Sequence, residues 1–144
     1  MPQRPIRSII EKRKVLTAPP TTTVFEAARL MQKHDVSAVM VVEDERLVGI
    51  FTERDALFRV IAEVRSPKST QIGSVMTANP RTIDADRPFA HALLVMHDGG
   101  FRHLPVVANG RPVGMVSARD ALGLEWREFE SELERRERIG ESLG

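Results

Sequence analysis

The hydrophobic and polar positions of this chain form a pattern that occurs twice. Val24, Ala27, Ala28 and Met31 recur at helical spacing, and so do Phe89, Ala92, Leu93 and Met96. For the first helix, Thr23 is the expected N-cap, with Glu26 three residues on completing a capping box. For the second, Asp86 is the expected cap, with Pro88 in the first turn and Gly99-Gly100 as the stop. Short strands at 15–17 and 81–83 precede these helices. Apolar runs of strand length follow them, at 36–42 and 101–107. Each leads through a polar turn into another strand, at 47–51 and 112–116. Asn109-Gly110 is a strong hairpin turn signal, and Asp44-Glu45 is a weaker one. Each second strand contains a glycine, Gly49 or Gly114. Such a glycine marks a bulge or a close approach, or only eases packing between sheets. Thr-x-x-Asp or Ser-x-x-Asp closes each strand, and a second helix is expected there.

Sliding the sequence by 65 residues registers the two halves without a gap. Val41-Val42 meet Val106-Val107, Arg46 meets Arg111, and Val48-Gly49 meet Val113-Gly114. The run Arg54-Asp55-Ala56-Leu57 meets Arg119-Asp120-Ala121-Leu122. Unrelated segments rarely align so well, so the chain is read as a duplication. Residues 1–11 form an N-terminal segment, 12–64 the first unit, 65–74 a linker and 75–124 the second unit. Residues 125–144 form a charged amphipathic helix. Its Trp126, Phe129 and Leu133, with Leu122, are spaced to pack on the body or on a partner subunit.

Composition narrows the function. With 144 residues, 42% hydrophobic and 28% charged, the chain can bury a core and is not a disordered polymer. Lys and Arg total 21 against 20 Asp and Glu, so there is no basic surplus for nucleic acid or an anionic membrane. Cysteine is absent, which excludes disulfides, thiolate metal sites and thiol nucleophiles. The longest apolar stretch, 38–42, is far short of the ~20 residues of a membrane span. A cytoplasmic protein is expected. His34, His91, His97 and His103 lack metal-site spacing. No nucleophile–base set, GxGxxG or GxxxxGK[ST] motif is present. The expectation is no catalysis and no metal.

The doubled motif carries a resemblance. GIFTERDAL (49–57) and GMVSARDAL (114–122) resemble the G-h-h-[ST]-x-x-D signature of CBS domains, and FRHLPVV (101–107) resembles that family's second strand. The resemblance covers about residues 12–124 and implies a stand-alone CBS pair, or Bateman module. The implied fold is α+β: two β-α-β-β-α motifs packed through their sheets with pseudo-twofold symmetry, plus the terminal helix. The implied role is a regulatory, homodimeric module that binds AMP, ADP, ATP, NAD(H) or S-adenosylmethionine in two shared clefts and signals to a protein target.

The motif chemistry suits such ligands. A strand running into a helix start exposes N–H groups to an anion. The Thr52 or Ser117 hydroxyl can donate to phosphate or ribose. The Asp55 or Asp120 carboxylate only accepts, which suits a ribose diol. Arg54 and Arg119 supply charge for phosphate. By the resemblance, one site combines Thr17, Val36, Ser37, Ala38, Ser117 and Asp120. The other combines Thr82, Phe101, Arg102, His103, Thr52 and Asp55. The second is more cationic and carries an aromatic, so it is expected to take the tighter or more phosphorylated ligand. The alternative is a ligand-free interaction scaffold, in which both Thr/Ser-x-x-Asp motifs serve only as capping boxes.

Overall fold

The computed structural model describes residues 4–143. Residues 1–3 and Gly144, the outer ends of the two terminal segments, lie outside the described residues. The elements run α1 (Ile6–Ile10), β1 (Thr17–Ala18), α2 (Val24–His34), β2 (Ala38–Glu43), β3 (Arg46–Thr52) and α3 (Glu53–Asp55), which continues as a π-helical segment, Ala56–Ile61. The second half follows with β4 (Thr77–Ala78), β5 (Ile83–Asp84), α4 (Phe89–Gly99), β6 (His103–Ala108), β7 (Arg111–Ser117) and α5 (Gly123–Leu143). One sheet has the order β1-β2-β3-β4, the other β5-β6-β7. The fold is α+β, with one sheet per repeat and a C-terminal helix.

Local chemistry explains the elements. Thr23 and Glu26 form the expected capping box on α2, and Val24, Ala27 and Met31 are buried beneath it. Both α2 and α4 stop at a left-handed residue, Asp35 and Gly100. Both hairpins turn through two consecutive residues of positive φ, Asp44-Glu45 and Asn109-Gly110, the geometry that matches strand twist. The weaker turn signal therefore makes the same turn as the stronger one. Each β2–β3-type pair has a register shift beside its glycine.

Asp86 does not cap α4. Helical structure begins at Phe89, and the N-cap position falls on Pro88, whose extended backbone stands outside the helix. Asp86 instead accepts a hydrogen bond from Arg7 Nε at 3.0 Å. The Phe89 N–H is satisfied by the Arg4 carbonyl at 2.9 Å, so the helix start has a backbone partner in place of a side-chain cap.

That contact belongs to a reciprocal exchange. The segment before each repeat packs on the other repeat. Ile6 and Arg7 N–H groups donate to the Arg87 and Ala85 carbonyls, and Ile6, Ile9 and Ile10 join the core of the second half. Likewise Ile72 and Gly73 donate to Thr22 and Pro20, and Ile72 and Val75 join the core of the first half. The repeat glycines make room for this exchange. A Cβ at Gly114 would lie 2.9 Å from Ile10 Cβ, and one at Gly49 would collide with the Met76 side chain.

The second half departs from the first after its motif. Ala118–Asp120 make a single 3-10 turn, and Ala121 is extended (ψ 134°). The second helix expected there is thus cut to one turn, and helical structure resumes in α5. Arg4 holds the break: its Nη2 donates to the Asp120 carbonyl at 2.8 Å and pairs with Glu125 Oε1 at 2.6 Å. Glu125 also accepts the Leu122 N–H at 2.8 Å, an acceptor for the new helix's start. α5 lies along α4 through an edge-on Phe129–His97 contact and an Arg136–Asp98 ion pair. Leu122 and Trp126 remain exposed.

Candidate functional site

A cleft of about 880 Å³ opens between the halves. Its first wall is the β3–α3 junction: Thr52, Glu53, Arg54, Asp55, Phe58 and Arg59. Its second wall comes from the other half: Asn79, Pro80, Arg81, Phe101, Arg102 and His103. Residues 101 and 102 precede β6, although the sequence pattern starts the strand at 101. Their backbone still contributes to pairing, since the Ala118 N–H reaches the Arg102 carbonyl at 3.3 Å. Short of the regular ladder, their side chains can face the cleft.

The motif residues are arranged by a capping box. Asp55 Oδ2 accepts the Thr52 N–H at 3.0 Å and its hydroxyl at 3.2 Å. Oδ1 has longer contacts, the Thr77 hydroxyl at 3.3 Å and Arg59 Nε at 3.6 Å. Four arginines, 54, 59, 81 and 102, line the same space. The site therefore joins an anionic acceptor to a cationic wall, with Phe58, Phe101, Ile50 and Pro80 as apolar surface. Phe101 also packs on the core of the second half, so it is partly a structural residue.

The first cleft's residues are arranged differently. Ser117 and Asp120 also form a capping box, with the Ser117 N–H donating to Asp120 Oδ2 at 2.8 Å. Here both carboxylate oxygens are engaged by Arg13, at 3.0 and 2.7 Å. Ser37 Oγ lies 2.7 Å from His103 Nε2, linking the run-in of β2 to the wall of the other cleft. Ala38 is fully buried in β2, and Val36 is exposed beside it. Thr17 lines a separate groove against α2, with Phe25, Arg29 and Lys33. Thr82 is absent from the lining of the large cleft, where Arg81 and Pro80 stand instead. The strand begins at Ile83, two residues later than the pattern suggests, and Ile83 takes the core position.

Sequence reasoning passed over Arg59, Arg81 and Asn79. Arg59 was detectable as the residue one helical turn beyond Asp55. Arg13 gives no local signal, because it lies 107 residues from its partner.

The charge states follow from these contacts. Burial holds His103 below the ordinary histidine value, with Arg119 and Arg102 adding to the effect against Glu53 and Asp120. It is therefore neutral at pH 7. Burial opposes the charge of Asp120, but hydrogen bonds from Arg13 and Ser117 and the charges of Arg13 and Arg4 outweigh it, so its carboxyl lies below the usual value. A carboxylate with a depressed folded pKa adds stability above its unfolded pKa, and that stability is lost as pH falls through the folded one. Urea unfolding from pH 7 to pH 2 should show wild type losing more stability than Asp120→Asn below about pH 4. Parallel curves would remove the pair from the stability account.

A duplicated half, with the Asp55 motif lining a cleft walled by the other half, defines a paired module. The chain belongs to the CBS-domain family, whose model matches residues 6–62 and 72–126. It is 37% identical over 118 residues to the CBS domain-containing protein CBSX3, mitochondrial, of Arabidopsis thaliana, covering 78% of this chain and 57% of that protein. The chain spans only 17% to 57% of the length of the first plant relatives it matches. Among solved structures, it is similar to the CBS-domain containing protein ATU1752 from Agrobacterium tumefaciens. That likeness has a TM-score of 0.73 at 30% identity, over 81% of this chain and 94% of that one. It is also similar to the CBS domain pair of protein MJ0100 in complex with 5′-methylthioadenosine and S-adenosyl-L-methionine. There the TM-score is 0.74 at 27% identity, over 91% of this chain and 99% of that one. Among the described residues, no helix is long and apolar enough to cross a membrane.

Proposed function

We propose that this chain is a non-catalytic regulatory module that takes an adenosine-containing ligand (AMP, ADP, ATP or NAD(H), or S-adenosylmethionine) between its halves. The observation that carries the reading is the Asp55 cleft: a carboxylate, four arginines and two phenylalanines lining one space between the halves. The ligand complex of the MJ0100 pair supports the adenosyl class. A ligand touching both walls favours the conformation in which they are close, and so can alter what the module docks on. The module works in the cytoplasm as a homodimer. Leu57 and Ile61, exposed on one short helical stretch, supply apolar surface for a second copy.

One observation favours a scaffold instead: each motif acid accepts the N–H of its own Thr52 or Ser117, as in a capping box, which accounts for the acids without a ligand. Calorimetry of the purified protein against AMP, ATP, NAD, NADH and S-adenosylmethionine separates the readings. Micromolar binding, lost in an Asp55→Ala, Asp120→Ala double variant, is the expected result. Folded protein that binds none of them would put the scaffold reading first.

A further inference from the structure

The two motif acids differ in what already occupies them. Asp55 is buried in the lining of the large cleft, and its Oδ1 has only long contacts, to the Thr77 hydroxyl and Arg59. Asp120 has both oxygens taken by one guanidinium in a paired, fork-like geometry, the strong form of such a contact. Its Oδ2 accepts the Ser117 N–H as well. The difference traces to the exchanged segments. Ile10 and Met76 sit under equivalent glycines, and counting three residues on from each gives Arg13 and Asn79. Asn79 lines the open cleft as a neutral side chain. Its counterpart Arg13 is a cation on a half-exposed stem, reaching a nearly buried carboxylate.

We propose that Arg13 sets how many ligands the chain holds, by occupying the Asp120 oxygens that a ribose diol would use. This rests on the adenosyl reading above. A diol is a neutral donor pair and replaces a charged bidentate donor poorly. The Asp55 cleft therefore fills first, and the Asp120 cleft stays closed while Arg13 remains in place. The inequality of the clefts comes from this blocked acid as well as from their differing strand residues.

The test is calorimetric stoichiometry with two probes, AMP and the uncharged 5′-methylthioadenosine, on the full chain. Wild type should bind one equivalent of probe, and Asp55→Ala should lose it. Arg13→Gln should raise the stoichiometry from one to two, and the added site should vanish in Arg13→Gln, Asp120→Ala. Arg13→Lys, which keeps the charge but not the fork, guards against a folding defect in the glutamine variant and should weaken the block in part. Two equivalents on wild type, a single site that survives Asp55→Ala, or one equivalent on both Arg13 variants would overturn the proposal while leaving the adenosyl reading intact. Absence of binding by wild type and both Arg13 variants would defeat the adenosyl reading, and this inference with it.

Discussion

Ile6→Ala should cost about 2–5 kcal/mol of stability, the range for truncating a fully buried aliphatic side chain. Ile6 is fully buried and shares a core with Ile83, Phe89, Leu104 and Val116 of the second half. A side chain on a loose leader would cost nearly nothing. Ile72→Ala should cost a similar amount through the core of the first half, where Ile72 is also fully buried. Denaturant melts of both variants check this. A midpoint unchanged in Ile6→Ala would show that α1 is not part of the second core.

Asp55→Ala should weaken adenosyl ligand binding by roughly a hundredfold or more. A charged acceptor contributes about 1.5–3 kcal/mol per hydrogen bond, and a ribose diol would make two. Every 1.4 kcal/mol is about a factor of ten in affinity. The same substitution removes the acid of a capping box, which costs about 1 kcal/mol of stability. Affinity and stability must therefore be measured together. Asp55→Asn separates them, because the amide keeps one acceptor oxygen for the cap but has one acceptor fewer for the diol. Affinity should fall steeply in Asp55→Asn while its melting temperature stays near wild type. Unchanged affinity in both variants would assign Asp55 to capping alone.

Much of this molecule was legible in the residues. The repeat gave the halves, and helical and alternating spacing placed α2, α4 and the four long strands within one or two residues. Three features resisted. The cap of α4 was misassigned because Asp86 has the right residue type, but the helix start is satisfied by a backbone carbonyl from the exchanged segment. The second repeat's final helix was overestimated, because its interruption depends on Arg4, 116 residues from the Asp120 carbonyl it binds. In the candidate site, Asp55, Arg54, Phe101, Arg102 and His103 line one cleft. Thr82, expected with them, is not in that lining, and Thr17, expected beside Asp120, lines a separate groove against α2. The occupied state of Asp120 depends on three-dimensional proximity and leaves no periodic trace.

The break at Ala121 has a mechanical consequence. α5 runs 21 residues from Gly123 to Leu143, about 31 Å at the rise of an α-helix. Its base follows directly on Asp120, whose carboxylate is held by Arg13 and whose carbonyl is gripped by Arg4. On an arm of that length, each degree of tilt at the base carries the far end about half an ångström. A rearrangement too small to disturb either sheet is thereby magnified into a displacement that a docked surface would register.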